Sequence, residues 1–197
     1  MITIEYGTPL SPRDLAVIEE LDQQAYGPSI FTSPGHSRAR LDRCPDYFVT
    51  AKQEDGRLAG AWSTYPVLRQ LWEKALISPH ILDDDVGPEW IISPRPGEET
   101  DLMAFDLVAH PDFRGQGLAR RLLEGYRALL RDKMAEGYRF QRLFGYVVTP
   151  MGYHMMLRYG AHMVRRVQEG LLFTIDPAAF IARGAVDLTG KTILRMQ

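Results

Sequence analysis

The chain of 197 residues has a single cysteine, Cys44, which excludes an internal disulfide framework and fits a reducing compartment. The simplest use of such a thiol is as a small packed apolar side chain. The five histidines are scattered and none joins a cysteine at metal-ligand spacing, so no metal is expected. No apolar run approaches the length that spans a bilayer. Met1-Ile2-Thr3-Ile4-Glu5 lacks the basic and apolar regions of a secretory signal, so the expected location is cytoplasmic. Charge of one sign is scarce as well: a net charge of −2 gives no general electrostatic reason to bind nucleic acid or an anionic membrane. Repeats, low-complexity tracts and linkers are missing. What remains is one globular domain over residues 1–197, large enough for a sizeable core.

The apolar pattern supplies the elements. Ile2 to Tyr6 alternates and reads as a strand. Ser11-Pro12 with Asp14 starts a helix whose stripe is Leu15, Ile18, Leu21 and Ala25, leaving Asp22 off the stripe as a solvated charge. His36 to Arg43 is a short charged helix. Tyr47 to Ala51 and Leu58 to Tyr65 flank an Asp55-Gly56 turn and read as a hairpin. Residues 66–100 hold Pro66, Pro79, Pro88, Pro94 and Pro96, and there only Leu68 to Leu76 looks helical. Its Trp72 and Trp90 argue for packing rather than disorder. Leu102 to Ala109 is a strand, Leu118 to about Glu136 a helix, Leu143 to Val148 a strand, and Pro150 to Tyr159 a helix. A closing hairpin (Val164 to Val167, Leu171 to Ile175), a short helix after Asp176-Pro177, and a last strand over Thr192 to Met196 complete the order. The result is a mixed α/β fold in which the strand ending at Ala109 and the next are joined by a helix, which makes them parallel neighbours.

One stretch organises the rest. After the apolar strand, His110-Pro111-Asp112-Phe113-Arg114-Gly115-Gln116-Gly117-Leu118-Ala119 makes a glycine-bearing turn into an amphipathic helix. The N–H groups of residues 114 to 119 stand at the helix N-terminus, where they lack intrahelical partners and the helix dipole is positive. Gly115 and Gly117 admit a ligand close to the backbone, and Arg114 adds a full charge. Such a turn suits a phosphate or pyrophosphate. The third glycine of a dinucleotide fingerprint would fall at Arg120, and the Lys-Ser/Thr of a P-loop is missing.

Arg114-x-x-Gly117-x-Ala119 after this strand resembles the acyl-CoA pyrophosphate loop of the GNAT superfamily of N-acyltransferases, and the element order resembles that fold from about residue 2 to residue 176. The resemblance implies a central mixed sheet flanked by helices, here with a long insertion (about 66–100) between the third and fourth strands. It implies acetyl-CoA, or another acyl-CoA, as cosubstrate, with pyrophosphate on Arg114, Gly115, Gln116, Gly117, Leu118 and Ala119. The pantetheine arm would lie along Leu107, Val108 and Ala109, the Ala109 N–H polarising the thioester carbonyl. In the second family motif Thr149-Pro150 stands at the Asn place, and Met156 where a tyrosine acid is usual. A methionine cannot donate a proton, and Tyr153, one turn earlier, is the candidate substitute. The family's strand glutamate would match Met103 or Phe105, both apolar. Asp106 is the candidate base if a bulge turns it, with Asp101, His110 and His154 as alternatives.

The implied reaction is transfer of an acetyl or other short acyl group to a primary amine, on a small molecule or a peptide, by direct attack in a ternary complex. A non-catalytic acyl-CoA sensor is the alternative, and a decarboxylase or hydrolase on the same fold a third. A homodimer is among the family's assemblies. Between Pro66 and Asp101 eight acids stand against three bases, among them Asp83-Asp84-Asp85. This insertion is expected to wall the acceptor site and favour a cationic amine, with Trp72 or Trp90 packing on it.

Overall fold

A computed structural model describes residues 1–27, 30 and 33–183. The strands are β1 (Ile2–Tyr6), β2 (Phe48–Gln53), β3 (Leu58–Val67), β4 (Glu99–Ala109), β5 (Arg139–Val147), β6 (His162–Arg166) and β7 (Leu171–Ile175). The helices are α1 (Pro12–Tyr26), α2 (Pro34–Arg43), α3 (Arg69–Ile77), α4 (Leu118–Ala135), α5 (Pro150–Arg158) and α6 (Pro177–Arg183). The expected strand over Thr192 to Met196 lies outside the described residues.

All seven strands join one sheet in the order β1-β2-β3-β4-β5-β7-β6, and every pair is antiparallel except β4 with β5. That single parallel pair follows from α4 crossing between its strands. α1 and α3 pack on β4, and α2 on α1, whereas α4 covers β1 to β4 and carries α6 with it. The α4 stripe of Leu118, Leu122, Leu123, Tyr126, Leu129 and Leu130 is fully inside. Each such side chain contributes about 1.5–3 kcal/mol by leaving water.

The insertion is not a structureless connection. A bridge between Val67 and Ile91 closes its base, reinforced by Leu68 N–H to Trp90 O (3.0 Å) and Ile92 N–H to Pro66 O (3.0 Å). Within it, α3 and two single 3-10 turns, Asp83–Asp85 and Pro88–Trp90, bury Leu71, Ala75, Leu82, Val86 and Ile91. The tryptophans sit away from the cleft described below. Trp72 packs edge-on to Phe144 and under the Arg142 guanidinium, and Trp90 lies under Lys74.

Candidate functional site

β4 and β5 pair only over Glu99–Ala104 against Arg139–Gly145. Beyond Ala104 they part, because β4 carries an extra residue. Trp62 faces Leu107 and Thr64 faces Ala104, so Ser63 alone opposes both Phe105 and Asp106. This is a β-bulge, and it re-aims side chains that regular alternation would send to opposite faces. Phe105 and Asp106 both line the cleft beneath α1 and α2. The bulge that a catalytic role for Asp106 requires is there.

Past the bulge, β4 has a free edge. The Leu107 carbonyl accepts from the Tyr26 hydroxyl at 3.1 Å, and the Ala109 carbonyl from Arg114 Nε at 3.4 Å. In an extended strand the N–H and C=O of one residue point to the same side, so the Leu107 and Ala109 N–H groups line that edge too. The chain then turns through Pro111–Phe113, where the Arg114 N–H donates to Pro111 O at 3.2 Å and is not available to a ligand. The helical ladder begins with Arg121 N–H to Gly117 O, so the N–H groups of residues 115 to 120 take no backbone acceptor among the described residues. Gly115 and Gly117 both have φ of 74°, a left-handed conformation, and a Cβ at either would project into open space. An anion therefore has unhindered access to a row of donors at the N-terminus of an 18-residue helix.

On the α1 side of the sheet lies a cleft of about 370 Å³, counting the space at its open mouth. Leu15, Ile18, Glu19 and Asp22 of α1 line it, with Ser37 and Arg40 of α2 and Phe48, Ser63, Tyr65, Phe105 and Asp106 of the sheet. Asp22 is only 6 % exposed. It is a buried partner of Asp106, not the solvated charge expected from the sequence. Burial, the Asp106 charge and a hydrogen bond between the two carboxyls push Asp22 up to about 9. Asp106 is also raised, by burial, although Asp22, Arg40 and Ser63 counter part of the effect. Two carboxyls in this relation hold a proton between them. Asp83, whose main-chain oxygen meets Arg40, is pushed up to about 8 by burial and by the Asp106 charge, and Glu19 is raised by burial. One cation offsets these acids. Arg40 is 2 % exposed, lies 4.5 Å over the Phe105 ring, and donates from Nη2 to the Asp83 carbonyl at 2.6 Å.

A model of the acetyltransferase (GNAT) family matches residues 15–144. The chain belongs to this family. Its GNAT fold is shared with solved structures of low sequence identity. The loading GNATL domain of CurA from Lyngbya majuscula matches with a TM-score of 0.61 at 15 % identity, over 90 % of this chain and 98 % of that one. Arabidopsis thaliana NAA60 in complex with a bisubstrate analogue matches at 0.57 and 17 %, over 89 % and 98 %. The ribosomal-protein-S18-alanine N-acetyltransferase from Escherichia coli matches at 0.52 and 14 %, over 98 % and 100 %. No curated protein matches the sequence. The chain is accordingly a GNAT-fold acyltransferase, and the acidic cleft is a feature of its own residues.

The other residues singled out in the sequence are placed as follows. Thr149 is the N-cap of α5, its hydroxyl accepting from Gly152 N–H at 3.0 Å. Tyr153 and Met156 share the buried face of α5. Asp101 is buried at the far end of β4, 3.3 Å from Arg142. His110 accepts from Asp112 N–H in the turn after β4, and His154 is edge-on to the Tyr153 ring. None of these three alternatives lines the cleft. Cys44 is buried, and burial pushes its thiol up to about 12, well outside the range of a nucleophile. Among the described residues no group of His, Cys, Asp and Glu is arranged to hold a metal, and no helix is long and apolar enough to cross a membrane.

Asp22, Glu19, Arg40 and Ser63 are site residues that the sequence alone does not single out. For two of them a signal exists. Asp22 follows Ile18 by four residues and Leu15 by seven, and Glu19 follows Leu15 by four, so both lie on the face that α1 buries.

Proposed function

We propose that this GNAT protein moves an acetyl or other short acyl group from acyl-CoA to a primary amine by direct attack in a ternary complex. The observation that carries the reading is the juxtaposition of a proton-sharing Asp22–Asp106 pair with the parting of β4 and β5. An amine at neutral pH is mostly an ammonium and must lose a proton before it attacks. Asp106, with Asp22 beside it, takes that proton in the cleft. The Ala109 N–H, on the free edge of β4, stabilises the charge that develops on the thioester oxygen. The amine nitrogen forms its bond to the acyl carbon as the carbon–sulfur bond breaks. The departing thiolate takes a proton from Tyr153 or from water. A free thiol ionises at about pH 8.5, so its thiolate leaves readily enough for water to serve.

The turn fits the diphosphate of the cosubstrate: free N–H groups at 115 to 120, room above Gly115 and Gly117, and the Arg114 guanidinium beside them. Leu118 and Ala119 contribute through their backbone, and Gln116 is held over the turn by its own bond to the Asp112 carbonyl at 2.8 Å. Leu107, Val108 and Ala109 supply the strand for the pantetheine arm, with Thr149 across the parting at the start of α5.

The test is release of free CoA from acetyl-CoA by the purified protein across a panel of primary amines. Amine-dependent release, lost in Asp106→Asn, supports the reading. Stabilisation by acetyl-CoA with no release on any amine replaces it with a binding-only domain, and release that needs no amine points to hydrolysis.

A further inference from the structure

Past the bulge, β4 turns the Leu107 and Ala109 carbonyls toward the parting, and side chains of this chain cap both. The Tyr26 hydroxyl donates to the Leu107 oxygen at 3.1 Å, and Arg114 Nε to the Ala109 oxygen at 3.4 Å. The Val108 oxygen between them faces the other way, toward Gly60 of β3. A bare strand edge is a row of unmet donors and acceptors, and natural sheets cover such edges. Here the cover is a pair of side chains, which a better partner can displace.

The two caps stand differently toward a cosubstrate. Arg114 opens the turn whose free N–H groups suit a diphosphate, so it can exchange a carbonyl for an anion. Tyr26 has no such exchange. It is the half-buried last residue of α1, followed by Gly27 at φ 76°. Burial first, then the Asp106 and Asp22 charges, push its hydroxyl up, so it keeps its proton and stays a donor.

α1 is fastened at its other end. Ser11 Oγ caps the Asp14 N–H at 3.0 Å, Asp14 meets Lys52 at 3.1 Å, and the Leu10 N–H donates to Pro45 O at 3.1 Å. Tyr26 follows Asp22 by four residues and Glu19 by seven. One face of α1 therefore reaches both the carboxyl cleft and the free edge of β4. Whatever moves Tyr26 acts on the end of the helix that carries Asp22.

A pantetheine arm brings two amide N–H groups, and the only acceptors a strand edge offers are its carbonyls. We infer that Tyr26 is a displaceable plug: an arm that pairs with β4 takes the Leu107 carbonyl from the Tyr26 hydroxyl and releases the last turn of α1 above the acceptor cleft. This rests on the arm lying along Leu107 to Ala109, as proposed above.

The experiment titrates wild type and Tyr26→Phe calorimetrically with CoA and with 3′-phosphoadenosine 5′-diphosphate, which has the diphosphate but no arm. Tyr26→Phe keeps the ring and removes its bond to Leu107. It should bind CoA about three- to tenfold more tightly, the worth of one hydrogen bond, and bind the armless nucleotide as the wild type does. Amide hydrogen exchange supplies a second readout. CoA should speed exchange at residues 23–27 in the wild type and leave it unchanged in Tyr26→Phe, where it is fast from the start. Equal CoA affinity in the two proteins, as acceptance of both donors by the Leu107 oxygen would give, overturns the inference. Weaker binding by Tyr26→Phe overturns it too, making Tyr26 a contact of the cosubstrate. Tighter CoA binding by Tyr26→Phe without acetyl transfer to any amine upholds this inference while refuting the transfer reading. Failure of CoA to bind either protein refutes both.

Discussion

Asp22 of α1 and Asp106 of β4 are joined by a hydrogen bond that one of the two carboxyls must supply with a proton. Removing a partner therefore has different consequences on the two sides. Asp106→Asn is expected to lower kcat by roughly 10²–10⁴, the usual worth of a positioned base. The rise in melting temperature on adding acetyl-CoA should persist, because the glycine turn is untouched. Steady-state kinetics and a thermal titration on the same variant check both halves.

Asp22→Ala removes the hydrogen bond that, with Arg40 and Ser63, holds Asp106 down against burial. Asp106 then titrates at higher pH. The acid limb of the kcat/KM profile should shift upward. A limb that stays in place would show that the pair does not govern the proton transfer.

The same pair makes stability depend on pH. Asp22 ionises at 3.8 ordinarily and at about 9 when folded. Between those values the folded protein binds more protons than the unfolded chain, so stability falls as pH rises. The slope is at most about 1.4 kcal/mol per pH unit for one such group. Urea midpoints should decline from about pH 5 to about pH 8 in the wild type and decline less in Asp22→Asn.

Gly60 and Gly117 should both lose stability on change to alanine, for different reasons. A Cβ on Gly60 would lie 2.6 Å from the Val108 carbonyl oxygen and 3.3 Å from the Ala109 Cα, both backbone atoms that yield little. Gly60→Ala is expected to cost about 1–3 kcal/mol and to raise the KM for acetyl-CoA by displacing β4. At Gly117 nothing stands within 4 Å, so only the left-handed φ opposes the change, at about 1–2 kcal/mol. Denaturant melts and acetyl-CoA kinetics on the two variants separate crowding from backbone strain.

Glu169→Ala cuts the strap that this carboxyl makes to His80 Nδ1 (2.9 Å) and the Ile81 N–H (3.0 Å) of the insertion. Burial alone would raise this carboxyl, but the His80 ring and the Ile81 N–H outweigh it and hold it below the usual range. With the strap released, the insertion loses both contacts, at a cost of about 1 kcal/mol, and the KM for acetyl-CoA should not move. An unchanged urea midpoint would show that the strap adds no stability.

What the sequence reveals divides along a physical line. The pyrophosphate turn is local: strand, two left-handed glycines and a helix with apolar spacing are contiguous, so 107–119 is readable as written. The acceptor cleft is not. Asp106 reaches it through a register shift that exists only once β3 and β4 pair, and Arg40, Ser63 and Asp22 come from three separate elements. Ala25, placed on the buried stripe of α1, is exposed, and Asp22 is on that stripe instead. An acid at a helical core position is legible as spacing and misleading as chemistry, because the neighbour that shares its proton lies on another element.

The Val67–Ile91 bridge makes residues 68–90 a closed excursion whose two ends meet at the sheet. Its body is stitched down elsewhere as well: Trp72 packs on Phe144 beneath Arg142, Gln168 N–H reaches the Pro79 carbonyl, and Arg165 reaches that of Leu76. Removing the excursion would uncover Phe144 and strand these donors, so it belongs to the body of the domain rather than hanging from it.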